Sequence, residues 1–286
     1  GVIEEVAKTS DAKMNENVST GNSAEDIEII KQADEGSSSL DTGYSSISTM
    51  NGIELFQNNS KDVSIIDVDL KYAGVSFGGL VQDEKFYKKY SAKEMEELTN
   101  RPDNIFGVVN GAFFLDVTDK KRTGLSFPIK SHGDGIVNDI KGMGVTRAPV
   151  RETFMDNEIS KRTIVTTQDG NAKILEGYSE EYLNNPVYLE LSVAFSPDVT
   201  ARRDAKIGRS YIGLKCENDI CKNIIFFVAE NKTQADMDEI IADYGVEREN
   251  IIMMDGGPSA QFSYIGEEKT FYGKWKVPQF NIIYEK

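Results

Sequence analysis

The residues best suited to chemistry are Asp255-Gly256-Gly257-Pro258-Ser259. An apolar run, Ile251-Ile252-Met253-Met254, stops abruptly at this acid, two glycines free the backbone to approach a ligand closely, and a hydroxyl stands beside it. Ligands of open α/β sheets collect beyond the carboxyl ends of the strands, which is where Asp255 lies. The elements that must position it are legible upstream. Ile224-Ile225-Phe226-Phe227-Val228-Ala229 has no polar member and reads as a strand covered on both faces, as in a buried parallel sheet. Thr233 with Asp236 forms a capping signature, and Met237, Ile240, Ile241 and Tyr244 share one helical face before Gly245. Strand, helix and strand predict a β-α-β unit with a right-handed crossover.

A second candidate constellation is Ile105-Phe106-Gly107-Val108-Val109-Asn110-Gly111-Ala112-Phe113-Phe114. Asn110-Gly111 suits a tight turn, since both residues tolerate positive φ. The flanking apolar residues, however, would bury that turn, and a buried amide needs partners. His132, the only histidine, sits in Ser131-His132-Gly133-Asp134-Gly135, as a surface turn residue or a site residue. Arg147, Arg151, Arg202, Arg203 and Arg209 are the arginines near candidate loops, where a planar guanidinium would suit phosphate or carboxylate. Asp67 and Asp69 lie at period two on one strand, as a solvated face or a metal pair.

Cys216 and Cys221 flank Glu217-Asn218-Asp219-Ile220 on the two arms of a predicted hairpin, within reach of a disulfide or as two free thiols. A bridge would fit an extracytoplasmic protein. One histidine and a single pair of thiols offer no zinc set, and no metal or cofactor is expected.

With 47 acidic against 32 basic residues in 286, the net charge of −15 argues against nucleic acid as a partner, because a phosphate backbone would be repelled. An anionic substrate must therefore meet a local cluster of arginines. No run of 18 apolar residues is present. Residues 1–50 hold ten acids, three bases, thirteen Ser or Thr and one aromatic, Tyr44, too little apolar surface to offset ordering entropy. They are expected to be a disordered tether, either a spacer from a membrane or wall anchor or an ordinary chain end. Residues 51–286 are expected to form one α+β domain with a mixed β-sheet core, packed helices and one late β-α-β crossover. Its first part reads as a meander through Ile53 and Leu55, Val63 to Leu70, then Val75 and Phe77. Ser91 with Glu94 caps a short helix, 163–167 and 172–175 form a hairpin, and 280–284 form a terminal strand.

Asn110-Gly111-Ala112-Phe113-Phe114, Arg209-Ser210-Tyr211-Ile212-Gly213-Leu214, the helix opened by Thr233, Asp255-Gly256-Gly257-Pro258-Ser259 and Val277-Pro278 occur in the order of the phosphodiester glycosidase family, which the chain resembles over roughly residues 52 to 286. Two positions depart. The family usually has glycine at Pro258, and Arg-Thr-Ala-x-Gly where this chain has Arg209-Ser210-Tyr211-Ile212-Gly213.

The resemblance implies an exported hydrolase that cleaves a sugar 1-phosphodiester at the anomeric C–O bond, on a cell-wall or exopolysaccharide glycan. The transition state is oxocarbenium-like and the leaving group is already a stable anion, so little proton donation is needed. The implied catalytic residues are Asp255, Arg209 and Asn110. Ser259, Gly256, Gly257 and Gly111 are implied to bind substrate, with backbone N–H groups of the two loop glycines as an anion nest, and Arg203 and His132, outside those motifs, are expected to bind it as well. No protein partner is expected. Two other classes stay open: a non-catalytic binding module for a glycan or anionic polymer, and a metal-dependent phosphodiesterase that cuts P–O.

Overall fold

A computed structural model describes residues 43–83, 86–99, 103–114, 122–132, 145–146, 160–199, 202–271 and 275–286. In chain order the strands are β1 (Tyr44–Met50), β2 (Ile53–Asn58), β3 (Val63–Asp69), β4 (Ala73–Gly79), β5 (Gln82–Asp83), β6 (Phe86–Lys88), β7 (Ile105–Asn110), β8 (Arg122–Thr123), β9 (Ile129–Lys130) and β10 (Val145–Thr146). They continue with β11 (Lys161–Thr167), β12 (Ala172–Glu176), β13 (Tyr188–Phe195), β14 (Ile207–Glu217), β15 (Ile220–Lys232), β16 (Ile251–Met253), β17 (Gln261–Tyr264), β18 (Glu267–Thr270) and β19 (Phe280–Glu285). Among the described residues three short helices accompany them, α1 (Ala92–Glu97), α2 (Glu180–Asn184) and α3 (Gln234–Asp243).

The architecture is therefore mostly β, rather than the balanced α+β arrangement expected. Every strand pairing among the described residues is antiparallel, which corrects the mixed sheet. The largest sheet runs β1-β2-β3-β15-β12-β11-β13-β16-β14, and β14 also pairs with β15, so six strands close into a ring. A five-stranded sheet, β18-β17-β7-β19-β4, packs against it, and β5, β6 and β8 form a small third sheet.

The strand-helix-strand reading of 224–254 holds in part. β15, α3 and β16 are present, and β15 and β16 run in the same direction, but β14 lies between them and bonds to both. Coverage on both faces, which suggested a parallel sheet, has another cause. Ile224, Phe226 and Val228 join the core shared with the five-stranded sheet, while Ile225, Phe227 and Ala229 join the core beneath α3. Each such fully buried large side chain contributes about 1.5 to 3 kcal/mol. Both capping boxes form, Ser91 with Glu94 on α1 and Thr233 with Asp236 on α3, and Gly245 at φ +87° follows α3.

The early meander covers β1, β2 and β3 only. β4 leaves for the five-stranded sheet, because Val75 and Phe77 complete its core with β19 and β7. Tyr44–Met50, placed in the tether by composition, is the edge strand of the large sheet; hydrogen bonds to β2 make up for its few apolar side chains. Residues 1–42 lie outside the described residues. The hairpin of β11 and β12 and the terminal strand β19 form as expected. Cys216 and Cys221 face each other across β14 and β15 and are joined in a disulfide, which fits an oxidising, extracytoplasmic compartment.

Candidate active site

The acid at 255 is held from two sides. Past the end of β16, the N–H of Met254 donates to Ser210 O at 2.9 Å, and the N–H of Asp255 donates to Gly111 O at 3.1 Å. Asp255 thus hangs between β14 of the ring and the end of β7 in the five-stranded sheet. Asn110, the last residue of β7 and 1% exposed, explains the other half of the suspension. Its Nδ2 donates to Asp255 O at 2.7 Å and its Oδ1 accepts from Gln261 N at 3.1 Å. A buried amide is costly unless paired, and both ends of this one are paired with the backbone of the 255–261 segment. Asn110 is therefore a buried fastener of the loop, and neither the wet turn nor a free donor toward substrate.

Beneath it lies Gln279, fully buried. Its Oε1 accepts from Ala112 N at 2.6 Å and its Nε2 donates to Phe77 O at 2.9 Å and to Phe280 O at 2.7 Å. A Cβ at residue 111 would lie 1.8 Å from Gln279 Oε1, so Gly111 is demanded by this packing. Gly257, at φ +59°, opens the 3-10 turn Gly257–Ser259 and occupies the left-handed region that favours glycine.

Around Asp255 opens a cavity of about 110 Å³, whose walls include Phe113, Phe195, Arg202, Arg209, Tyr211 and Gly257. Burial pushes the Asp255 carboxyl up to about 7, although the Ser259 hydroxyl and the Gly256 N–H bond to it and pull the other way. Ser259 and Gly256, expected on substrate, thus attend the carboxyl itself. Arg209 is 5% exposed, and burial draws its guanidinium below the usual value. Its Nε donates to Lys232 O at 3.0 Å, and its Nη2 to Arg202 O and Ala205 O, both at 2.8 Å. Nη1 takes no part in these bonds. No ion pair joins Arg209 to a carboxylate among the described residues, so a cation and a carboxyl share one cavity without neutralising each other. Tyr211 is fully buried in the wall, and burial pushes its phenol up to about 12.

Of the residues expected at the site, the structure brings together Asp255, Arg209, Gly256 and Gly257 on the cavity, with Asn110, Gly111 and Ser259 supporting them. Two stand elsewhere. Arg203 has an exposed side chain off the cavity, and its carbonyl accepts from Gln234 N at 2.9 Å. Arg202, at φ +54°, lines the wall instead. His132 is exposed, and its backbone N–H donates to Glu190 Oε1 at 2.8 Å, away from the cavity. Arg147 and Arg151 lie outside the described residues. Asp67 is occupied by Asn223 Nδ2 at 2.7 Å and Tyr244 OH at 2.9 Å, and no three His, Cys, Asp or Glu side chains converge as a metal set among the described residues.

Sequence reasoning missed Gln261, Gln279 and Glu190. The first two had a signal, since amides interrupt apolar strand stretches at Ala260-Gln261-Phe262 and Gln279-Phe280-Asn281-Ile282. Glu190 had none, because Tyr188-Leu189-Glu190-Leu191 reads as ordinary alternation. Its carboxylate accepts from Phe77 N at 2.7 Å, Ser131 Oγ at 3.0 Å and His132 N, and burial pushes it up to about 7.

No protein-family model matches this chain, and no curated protein matches its sequence. Solved structures with a similar course of the chain include the zebrafish N-acetylglucosamine-1-phosphodiester alpha-N-acetylglucosaminidase catalytic domain, auto-inhibited by its pro-peptide. It shares 13% identity over 87% of this chain and 85% of that one, with a TM-score of 0.49. A hypothetical protein from Synechocystis is similar at 10% identity over 82% of this chain and 62% of that one, TM-score 0.44. A protein from Burkholderia pseudomallei described as exported is similar at 10% identity over 85% and 76% of the two chains, TM-score 0.39.

Proposed function

We propose that the protein is an exported hydrolase that cleaves a sugar 1-phosphodiester at the anomeric C–O bond, on a wall or exopolysaccharide glycan. The observation that carries this reading is a single cavity in which the Asp255 carboxyl, pushed up to about 7 by burial, is in no ion pair among the described residues while the Arg209 guanidinium stands in the same wall. Among the described residues Asp255 is the only carboxyl in that wall, so they do not supply both the acid and the base of most glycosidases. A phosphodiester tolerates this. Its leaving group departs as a phosphate monoester that needs no proton.

In this mechanism ionised Asp255 takes a proton from water as the water oxygen bonds to the anomeric carbon. The C–O bond breaks, and its electron pair leaves with the phosphate. Protonated Asp255 then returns its proton to solvent. A carboxyl near 7 is suited to both halves of that cycle. Arg209, through Nη1, and Arg202 supply positive charge to the phosphate, and the apolar walls strengthen that attraction by excluding water. The disulfide supports the extracytoplasmic setting.

The test is turnover of sugar 1-phosphodiesters in oxygen-18 water. Label in the released sugar is expected. Label in the phosphate would replace this mechanism by P–O cleavage, and retained binding without turnover would make the protein a binding module.

A further inference from the structure

The segment 275–277 runs beside the loop that carries Asp255 and is fastened at each residue. The N–H of Trp275 donates to Pro258 O at 3.3 Å, and its carbonyl accepts from Gln261 Nε2 at 2.6 Å. Lys276 Nζ bonds Glu94, and Val277 exchanges both backbone hydrogen bonds with Tyr90, at 2.8 and 2.9 Å. The backbone is held by these bonds, yet Trp275 is 36% exposed. The other exposed large apolar residues among those described have different settings. Ile220 follows a hairpin turn and Ile265 lies in one, Ile47 lies on edge strand β1, Val187 precedes β13 away from the loop, and Tyr72 carries the Lys71 ammonium 4.6 Å over its ring. Trp275 alone among them is bonded through its backbone to the 255–259 loop. An exposed aromatic face on an immobilised backbone costs little entropy to use and is a common anchor for ligands with one apolar face.

The cavity also leaves something to be bound outside it. At about 110 Å³ it is smaller than the ~300 Å³ at which pockets for drug-sized ligands begin, so a glycan chain must lie largely beyond it. We infer that Trp275 is a sugar-stacking platform, on which the C–H face of a pyranose ring in the glycan, outside the cleavage point, rests while the phosphodiester enters the cavity. The inference rests on the reading of the protein as a glycan hydrolase for its choice of ligand, but its test does not depend on turnover.

Trp275 is the only tryptophan in the chain, so its emission reports its own environment. Oligosaccharides of glucose, mannose and N-acetylglucosamine should shift that emission saturably. By calorimetry the same sugars should bind about tenfold more weakly to Trp275→Ala, with Trp275→Phe intermediate. Emission indifferent to every sugar, unchanged sugar affinity in Trp275→Ala, or a shift produced by phospholipid vesicles in place of sugars would overturn the platform. Sugar-dependent emission in a protein that hydrolyses no phosphodiester would support the platform and remove the hydrolase reading alone.

Discussion

Asp255 and Glu190 are both carboxyls that burial holds near 7, and they sit in opposite settings. Asp255 ends a strand and opens on a cavity that also holds a guanidinium. Glu190 lies inside β13, facing β4, with its oxygens taken up by the N–H groups of Phe77 and His132 and the Ser131 hydroxyl. The same shift therefore marks a candidate base in one place and a fastening between two sheets in the other. A raised carboxyl pKa reports desolvation; what separates chemistry from structure is whether a ligand can reach the group.

The contrast breaks most directly at Asp255. Asp255→Asn should lower kcat at least about a hundredfold, near 2.7 kcal/mol, while moving the melting temperature little, since the amide keeps the shape and an acceptor for Ser259. Most activity surviving in the folded variant would make the two carboxyls equivalent and the mechanism untenable. Glu190→Ala should do the reverse. It removes the acceptor of the buried Phe77 N–H and of the part-buried His132 N–H and empties the space of the side chain, while the Ser131 hydroxyl keeps Ser76; this should cost about 3 kcal/mol and lower the melting temperature by roughly 5 to 10 °C. Its kcat should stay within a few fold of the parent, and a kinetic loss matching that of Asp255→Asn would place Glu190 in the chemistry.

Titration sharpens the comparison. Ionised Asp255 is the proposed base, so kcat/KM should rise with pH to a plateau above about 7; a flat profile from pH 5 to 9 would show that Asp255 does not act as one. Stability should run the other way. The folded state keeps protons on Asp255 and Glu190 that the unfolded chain releases near pH 4, so their contribution is complete below about 4 and is lost as pH rises to about 7. Asp62, drawn down to about 2 by hydrogen bonds from Lys232, Ser60 and Asn58 against its desolvation, contributes oppositely and is lost as pH falls below about 4. Urea midpoints should therefore be highest at mildly acidic pH, and the decline toward neutrality should shrink in Glu190→Ala.

The smallest effect belongs to the disulfide. Reduction should expose two thiols and cost about 2 kcal/mol, because the closed loop is short, and should leave the kinetic midpoint near 7 in place. A displaced midpoint would mean that the cysteines and Asp255 are coupled.

Legibility in the sequence followed how local each cause was. The strand stop at Asp255, both capping boxes, the Cys216–Cys221 hairpin and the terminal strand each depend on a few neighbouring residues, and the sequence analysis finds them. Sheet assignment depends on residues far apart. Nothing within Ala73–Gly79 says that its partner is Phe280–Glu285 rather than the strand just before it. The site divides the same way. Asp255 and Arg209 were visible as chemical types, but the carbonyls of Arg202, Ala205 and Lys232 that occupy most of the Arg209 fork carry no side-chain signature. For the same reason Arg203 and Arg202 could not be told apart, since only the local turn decides which one faces inward.

The bridge between Cys216 and Cys221 closes one end of a hairpin whose other end carries Arg209. Successive side chains of a strand point to opposite faces, so sliding β14 along β15 by one residue would turn the side chains of Arg209 and Tyr211 to the other face of the sheet. β14 and β15 are long, and apolar residues occupy both of their faces, so hydrophobic patterning discriminates poorly against such a slip. What holds the alignment is pairing on both edges of β14, to β15 from Arg209 to Lys215 and to β16 from Tyr211 to Gly213. The ladder shifts by one residue between Lys215 and Cys216, so the disulfide closes the turn beyond an irregularity that can take up a slip, and the guanidinium is oriented by its two neighbouring strands.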